Sequence, residues 1–280
     1  MDGVQPWRSP RGGLRRGSSL TAEATVDYAW LKQLLNSLRA GKEKRAGEKK
    51  AATQSMGTAK TLTEEGYAEL RAAMVETQIR KRGIGDERVL QAMRSVPRHE
   101  FVESHWKNLA YTDEPLPIGG GQTISQPYIV AVMCAALHLE GTEKVLEIGT
   151  GCGYQAAVLS CLAREVHTVE YREELSTGAS ERLQRLGYGN VHVHCGDGSL
   201  GLAAFAPYDG IIVAAAAPCV PEPLAQQLAE DGRMILPVGG EEHQVLLLRT
   251  RHGETFSSER REPCRFVPLL GRHGWKDVWI

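Results

Sequence analysis

The sequence contains no apolar run that approaches the roughly 20 residues a membrane-spanning helix requires. Its first residues also lack the apolar stretch of a secretory signal. The formal net charge of −1 is too small for a nucleic-acid binder that depends on bulk charge. These absences predict a cytoplasmic protein whose partners include neither a membrane nor a nucleic acid.

Paired metal or disulfide motifs are absent as well. The six cysteines form no Cys-x-x-Cys pair, and the nine histidines show no zinc-ligand spacing. Four of the cysteines lie in apolar segments, where a cysteine packs as a small hydrophobic residue. Scattered thiols in a chain of 280 residues are typical of a reducing compartment. We therefore expect neither a disulfide framework nor a metal site.

Positive charge is concentrated in the first 55 residues, which hold eleven Lys or Arg and five Asp or Glu. This segment can be a dispensable leader with the functional start near Met56, a polyanion-binding arm or an organelle-targeting sequence. The first interpretation is preferred, because basic tails are usually only solvated. We divide the chain into a basic N-terminal extension (1–60), a mainly helical region (61–126) and a core (127–280).

The core alternates apolar runs with segments of helical periodicity, and this order predicts an α/β fold with a doubly wound, mostly parallel sheet. The predicted strands are 144–148, 166–170, 191–195, 209–214, 233–237 and 244–250. The predicted helices are 67–80, 86–93, 127–139, 154–163, 173–186 and 222–230.

Closely spaced glycines follow the first of these strands. Gly149, Gly151 and Gly153 come directly after Glu147 and Ile148 and before the helix that starts at residue 154. Glycines at such a turn let the backbone approach a ligand where a Cβ atom would clash. The following helix presents its free N-terminal amides to that ligand. The pattern predicts a nucleotide-like cofactor.

The spacing of the glycines indicates which cofactor. A dinucleotide loop requires G-x-G-x-x-G, but its third glycine position is Tyr154 here, and the loop is G-x-G-x-G. Together with the preceding Glu147, this loop resembles motif I of the S-adenosylmethionine-dependent methyltransferases. The resemblance implies a class I, Rossmann-like sheet of about seven strands.

Acidic residues end the next two strands. Glu170 can accept hydrogen bonds from the two ribose hydroxyls, and the alternative is a solvated strand end. The resemblance implies that Asp197 meets the adenine amino group and that Gly198 leaves room for the ring. The alternative is a simple Asp-Gly turn. Ligand binding is preferred because the three motifs follow three successive strands, whose carboxyl ends form the ligand-binding edge of such a sheet.

A segment upstream of the core carries a second resemblance. Residues 110–128 contain Pro-Leu-Pro-Ile-Gly and Gly-Gln-Thr-Ile-Ser-Gln-Pro, and Val96-Pro97-Arg98 precedes them. These motifs, with Gly196-Asp197-Gly198 and Arg265-Phe266-Val267-Pro268-Leu269, closely resemble the protein-L-isoaspartate (D-aspartate) O-methyltransferases, notably their bacterial members. The resemblance covers roughly residues 66–270.

The resemblance implies a repair enzyme. Its methyl donor is S-adenosyl-L-methionine, without a metal, and its partners are proteins and peptides that contain L-isoaspartyl or D-aspartyl residues. Methylation of the free carboxylate gives an ester that collapses to a succinimide and reopens partly as normal aspartate. We expect a monomer. The cofactor-binding residues that the resemblance implies are Glu147, Gly149, Gly151, Gly153, Glu170, Asp197 and Gly198.

The serine of the Thr-Ile-Ser motif is the active-site residue of the resembled family, and it corresponds to Ser125. Gln122 and Thr123 are expected to line the same substrate channel. Because a carboxylate is already ionised at pH 7, methyl transfer needs alignment rather than a strong base. The alternative role for Ser125 is that of an N-cap, since Pro127 suits the first turn of a helix.

Two other functions compete with repair. A methyltransferase of this family can be redirected to a dedicated peptide, and a non-catalytic protein can keep the cofactor fold as an interaction scaffold, since a fold alone does not determine function. The intact loop glycines, with Glu170 and Asp197, argue against the scaffold.

Overall fold

The computed structural model describes residues 62–275. The basic N-terminal extension expected over residues 1–60, with Met56, lies outside the described residues. Within the described part, no helix combines the length and the apolar character needed to cross a membrane.

Six α-helices and nine strands make up the described fold. The helices are α1 (Glu64–Met74), α2 (Glu87–Ser95), α3 (Pro127–Ala136), α4 (Tyr154–Ser160), α5 (Glu173–Arg185) and α6 (Glu222–Gln226). The strands are β1 (Leu116–Gly119), β2 (Gln122–Ile124), β3 (Lys144–Ile148), β4 (Glu165–Glu170), β5 (Val191–Cys195), β6 (Tyr208–Val213), β7 (Leu228–Gly239), β8 (Gln244–His252) and β9 (Thr255–Cys264).

The central sheet has seven strands in the order β5-β4-β3-β6-β7-β8-β9. The first five of these pair in parallel, and β8 and β9 are antiparallel additions. Strand order reverses between β3 and β6, which is where a doubly wound sheet opens a crevice at its carboxyl edge. The predicted doubly wound, mostly parallel α/β sheet is confirmed.

Apolar side chains cover both faces of the sheet. Alternate residues of one strand belong to different core clusters: Val145 packs with one cluster, whereas Leu146 and Ile148 pack with the other. This is the period-two alternation of a strand that is buried on both sides. With both faces covered, the carboxyl edge is the part of the sheet left open for a ligand.

Several predicted boundaries differ from the structure. The predicted helix 222–230 ends at Gln226, because β7 already begins at Leu228 and pairs there with Tyr208. The predicted helix 67–80 is an α-helix only to Met74 and then continues as one π turn and one 3₁₀ turn to Arg82. In both cases tertiary pairing and packing decide the boundary.

Three strands were not predicted at all. β9 is mostly exposed and polar, so it has no apolar alternation, and it is a strand because it pairs with β8. β1 and β2 form a separate hairpin whose turn, Gly119–Gly121, has positive φ at every residue. Only glycine adopts that conformation readily, so three successive glycines suit this turn.

Candidate active site

The glycine loop has the backbone geometry that its residues predict. Gly149, Gly151 and Gly153 have φ angles of 94°, 54° and 89°. A side chain at these left-handed positions would be strained. At Gly153 a Cβ atom would also lie 3.1 Å from Leu183 Cδ1, so α5 packs directly against the start of α4. The glycines thus permit both the left-handed turns of the loop and its close packing against α5.

Strand register brings Glu170 to this loop. β3 and β4 pair with Ile148 opposite Val169, so the residues that follow each strand are neighbours. The Oε2 atom of Glu170 accepts the Gly151 amide at 2.8 Å, and Oε1 accepts the Arg172 amide at 3.0 Å. Each oxygen keeps lone pairs for a further donor, because a carboxylate accepts about four hydrogen bonds. Glu170 therefore couples the loop conformation to a free acceptor face.

A single cavity at the carboxyl edge of the sheet connects the two predicted motifs. Its lining comes from the β2 residues with Ser125, from the glycine loop, and from Glu170 and the segment 267–270. The predicted site residues that line it are Gln122, Thr123, Ser125, Gly149, Gly151, Glu170 and Gly198.

Three predicted cofactor residues do not line this cavity. Gly153 acts as the N-cap residue of α4. Glu147 lies wholly buried beneath the loop, and Asp197 is turned toward the C-terminal segment. The structure thus places these residues in support of the cavity wall.

The Glu147 carboxyl group is linked by hydrogen bonds to two buried threonine hydroxyls. Its Oε2 accepts the Thr168 hydroxyl at 2.5 Å, and Thr168 Oγ1 lies 2.6 Å from Thr150 Oγ1 in the glycine loop. Either hydroxyl of the Thr150–Thr168 pair can be the donor. Burial raises the pKa of Glu147 to about 8, so the acid is mainly protonated at neutral pH. Glu147 thus anchors the loop from below as a neutral acid.

We expect Glu147→Gln to change the pH dependence of stability. In the unfolded chain Glu147 ionises near pH 4.3, whereas in the fold it keeps its proton to about pH 8. Between these values the folded state binds more protons, so the free energy of unfolding falls as pH rises. Glutamine does not titrate. The Tm of the variant minus the Tm of the wild type should therefore increase from pH 5 to pH 8. Parallel Tm curves would contradict the buried-acid assignment, and Glu140→Gln at an exposed position serves as control.

Asp197 caps a 3₁₀ turn and holds the C-terminal segment. Its Oδ1 accepts the amide and the hydroxyl of Ser199 at 2.9 and 2.6 Å, and its Oδ2 accepts the Arg272 amide at 2.8 Å. A Cβ atom on Gly271 would lie 1.9 Å from Oδ1, so this segment packs tightly on the carboxylate. The geometry matches the turn alternative, and contact between Asp197 and adenine stays a prediction.

The capping interpretation of Ser125 is wrong. The N-cap residue of α3 is Gln126, and no side chain caps that helix. The Ser125 hydroxyl has no hydrogen-bond partner within residues 62–275, while its carbonyl accepts Arg98 Nη2 at 2.8 Å. The backbone at Ser125 is therefore held and its hydroxyl is available to a ligand in the cavity.

Some cavity residues were missed from the sequence. Tyr171, which is half exposed, and Arg172 follow Glu170 directly and could have been found by extending that motif. Gln155 lies in the first turn of α4 just after the glycines. Leu269 and Leu270 come from a distant part of the chain, and only the fold brings them here. In the described part of the chain, no three His, Cys, Asp or Glu side chains are grouped to hold a metal ion.

Comparison with known proteins identifies the family. The family model for protein-L-isoaspartate(D-aspartate) O-methyltransferase matches residues 69–274. The chain belongs to this family. It is 55% identical over 205 residues to the protein-L-isoaspartate O-methyltransferase of Roseiflexus castenholzii, a match that covers 73% of this chain and 94% of that protein. It is 52% identical over 211 residues to that of Dictyoglomus thermophilum, covering 75% and 96% of the two chains.

Solved structures agree with this family assignment. A protein-L-isoaspartate O-methyltransferase superposes with a TM-score of 0.67 at 32% identity, covering 74% of this chain and 67% of that one. A Plasmodium falciparum protein described as a putative member in complex with S-adenosyl-L-homocysteine has a TM-score of 0.62 at 24% identity, covering 71% and 98%. That second likeness shows the fold alone.

The family membership confirms several predictions from the sequence. The chain is a methyltransferase with the class I, Rossmann-like fold, and its family uses S-adenosylmethionine. The residues of the cavity fit that cofactor, because the three loop glycines permit close approach and Glu170 keeps free acceptor positions. The assignment of individual residues to cofactor and substrate remains a prediction.

Proposed function

We propose that this protein repairs damaged proteins by methylating the α-carboxylate of L-isoaspartyl residues and the side-chain carboxylate of D-aspartyl residues. The ester then collapses without enzyme to a succinimide, which reopens partly as normal aspartate. The observation that carries the proposal is that Ser125 and Glu170 line the same cavity: the Ser125 hydroxyl has no partner among the described residues, and Glu170 has free acceptor positions.

The residues of the cavity divide between donor and acceptor substrates. Glu170 would accept hydrogen bonds from the ribose hydroxyls of the cofactor, and Gly149 and Gly151 would allow its close approach to the backbone. S-adenosylmethionine, when bound, supplies an electrophilic methyl group on its sulfonium sulfur. The Ser125 hydroxyl donates a hydrogen bond to the substrate carboxylate, and Gln122 and Thr123 form the adjoining wall of the channel.

The chemistry needs no general base on this chain. The attacking carboxylate is ionised at neutral pH, and the opposite charges of carboxylate and sulfonium partly cancel as the methyl group moves. What the protein contributes is alignment, because its residues would hold the carboxylate against the methyl group of the bound donor. Ser125 performs this alignment through one directed hydrogen bond. The proposal further includes a cytoplasmic location and a monomeric state.

One assay tests the proposal against its rivals. Labelled S-adenosylmethionine is offered with an isoaspartyl peptide and with its normal-aspartyl counterpart. We expect label in the isoaspartyl peptide alone. Equal labelling of both peptides, or none, would refute the repair function. Binding of the cofactor without any turnover would indicate a scaffold, and turnover on one unrelated peptide only would indicate a dedicated substrate.

Removal of residues 1–55 is expected to leave this activity intact. The family match begins at residue 69, and the basic segment lies wholly before it. kcat and KM on a short isoaspartyl peptide should stay within about threefold of the full chain, because the family match does not include this segment. A truncated protein that folds but does not turn over would show that the extension takes part in catalysis.

A further inference from the structure

Arg98 is a fully buried cation that forms no ion pair within residues 62–275. It begins a 3₁₀ turn, and its side chain has no exposed surface. Nε donates to the carbonyl of Ala110 at 2.7 Å, Nη2 donates to the carbonyl of Ser125 at 2.8 Å, and Nη1 has no hydrogen-bond partner in the described part of the chain. Burial lowers the pKa of Arg98, yet a guanidinium stays charged in proteins.

Stability alone does not explain this arrangement. Removing a guanidinium from water costs several kcal/mol, and a carboxylate or an apolar replacement is the usual way to offset that cost. Here the charge is met by two carbonyl dipoles and by the ring of Tyr154, whose centroid lies 4.8 Å away. Two carbonyls could be satisfied more cheaply by a neutral donor. The presence of an arginine here, with its charge and its rigid planar group, therefore requires an explanation other than stability.

The two carbonyls to which Arg98 donates show which segment it holds in place. Ala110 and Ser125 lie on either side of the β1–β2 hairpin, so one planar guanidinium joins both ends of the segment that forms the substrate wall. Arg98 fixes the Ser125 carbonyl, while Ser125 lines the cavity and its hydroxyl has no hydrogen-bond partner in the described part of the chain. The planar fork of arginine suits this task, because its donors keep a fixed angle to each other.

We propose that Arg98 is the positioning residue that aims the Ser125 hydroxyl at the substrate carboxylate. It acts through the Ser125 backbone and does not line the cavity. Its uncompensated positive charge, one hydrogen bond behind Ser125, also favours an anionic over a neutral group at that position. This inference rests on the proposed function, because the carboxylate it serves is that of the isoaspartyl residue.

The test compares Arg98→Met, which removes both charge and fork, with Arg98→Lys, which keeps the charge but cannot bridge two carbonyls in the same geometry. The matched control is Arg251→Met. Arg251 also donates to two carbonyls, those of Leu228 and Gly253, at 2.6 and 2.9 Å, but it does not line the cavity. For each protein, kcat and KM on an isoaspartyl peptide, the Kd of S-adenosylhomocysteine and the Tm are measured.

We expect Arg98→Met to lower kcat/KM about 100-fold, the scale on which a small misplacement of a reacting group acts. The Kd of S-adenosylhomocysteine should stay within about threefold, because the cofactor wall is built from other residues. In Arg98→Lys, KM should be closer to the wild-type value than kcat is. Lysine keeps the positive charge but cannot hold both carbonyls in the same geometry. Arg251→Met should lower Tm and leave both kcat and Kd unchanged.

Three results would overturn the proposal. These are turnover by Arg98→Met within threefold of the wild type, a loss of S-adenosylhomocysteine affinity in parallel with kcat, or failure of both Arg98 variants to fold, which would assign Arg98 to stability alone. An inactive wild type that still binds S-adenosylhomocysteine would instead refute the proposed function, so the two failures are distinguishable.

Discussion

Ser125→Ala is expected to lower kcat/KM on an isoaspartyl peptide by about 10- to 150-fold. This range corresponds to the roughly 1.5–3 kcal/mol that a hydrogen bond to a charged group contributes. Ser125 lines the cavity and its hydroxyl has no partner among residues 62–275, so we expect its loss to remove an interaction with substrate and no hydrogen bond within the described fold. Stability should therefore change by about 0.5 kcal/mol or less.

The measurement separates substrate alignment from a structural effect. kcat, KM, the Kd of S-adenosylhomocysteine and Tm are compared for the wild type, Ser125→Ala and the control Ser95→Ala. Ser95 is exposed on α2, where its hydroxyl donates to the carbonyl of Gln91. A reduced kcat at constant Kd and constant Tm supports the assignment of Ser125. Unchanged turnover would leave Ser125 as a wall residue without a role in the reaction.

Glu170→Ala is expected to weaken cofactor binding by about 1–3 kcal/mol, a 5- to 150-fold rise in the Kd of S-adenosylhomocysteine. Two effects add. The acceptor for the ribose hydroxyls is lost, and the amides of Gly151 and Arg172 lose the carboxylate that now holds them. Because Gly151 belongs to the glycine loop, the loop should also loosen and Tm should fall.

A matched control isolates the cofactor contribution to this loss. Glu143 holds the amides of Glu140, Gly141 and Thr142 at 2.9, 2.7 and 2.9 Å, but it lies before β3, at the end of the sheet away from the cavity. Glu143→Ala should lower Tm without changing the Kd, whereas Glu170→Ala should change both. An unaltered Kd in Glu170→Ala, measured by isothermal titration calorimetry, would remove Glu170 from the cofactor site.

Local patterns predicted the parts of the fold that local physics controls. The apolar residues Val145, Leu146 and Ile148 of β3 are buried on both faces of the sheet, so their sequence alone marks this strand. The loop glycines have positive φ angles that other residues adopt only under strain, and this requirement is visible in the residue type. β9 and the β1–β2 hairpin were missed because their strand conformation depends on pairing with partners rather than on their own pattern.

The predicted site residues also fall into two groups: one is placed by strand register, and the others are placed by tertiary packing. Glu170 ends a strand next to the glycine loop, and strand register alone brings the two together. The resemblance implied that Glu147 and Asp197 bind the cofactor, but a position near the end of β3 or β5 does not determine where a side chain points. Packing places Glu147 beneath the loop and Asp197 against the backbone of Arg272.

The sequence by itself determined the family, the sheet, the cofactor loop and the candidate serine, because each depends on residue types at short, fixed spacings. Only the tertiary structure decided what surrounds them. It showed that the Ser125 hydroxyl has no partner within residues 62–275, that Arg98 holds the Ser125 backbone from 27 positions upstream, and that Glu147 is fully buried, which raises its pKa. These properties depend on distances between distant segments and on exclusion of water, and neither quantity is encoded in any one stretch of the chain.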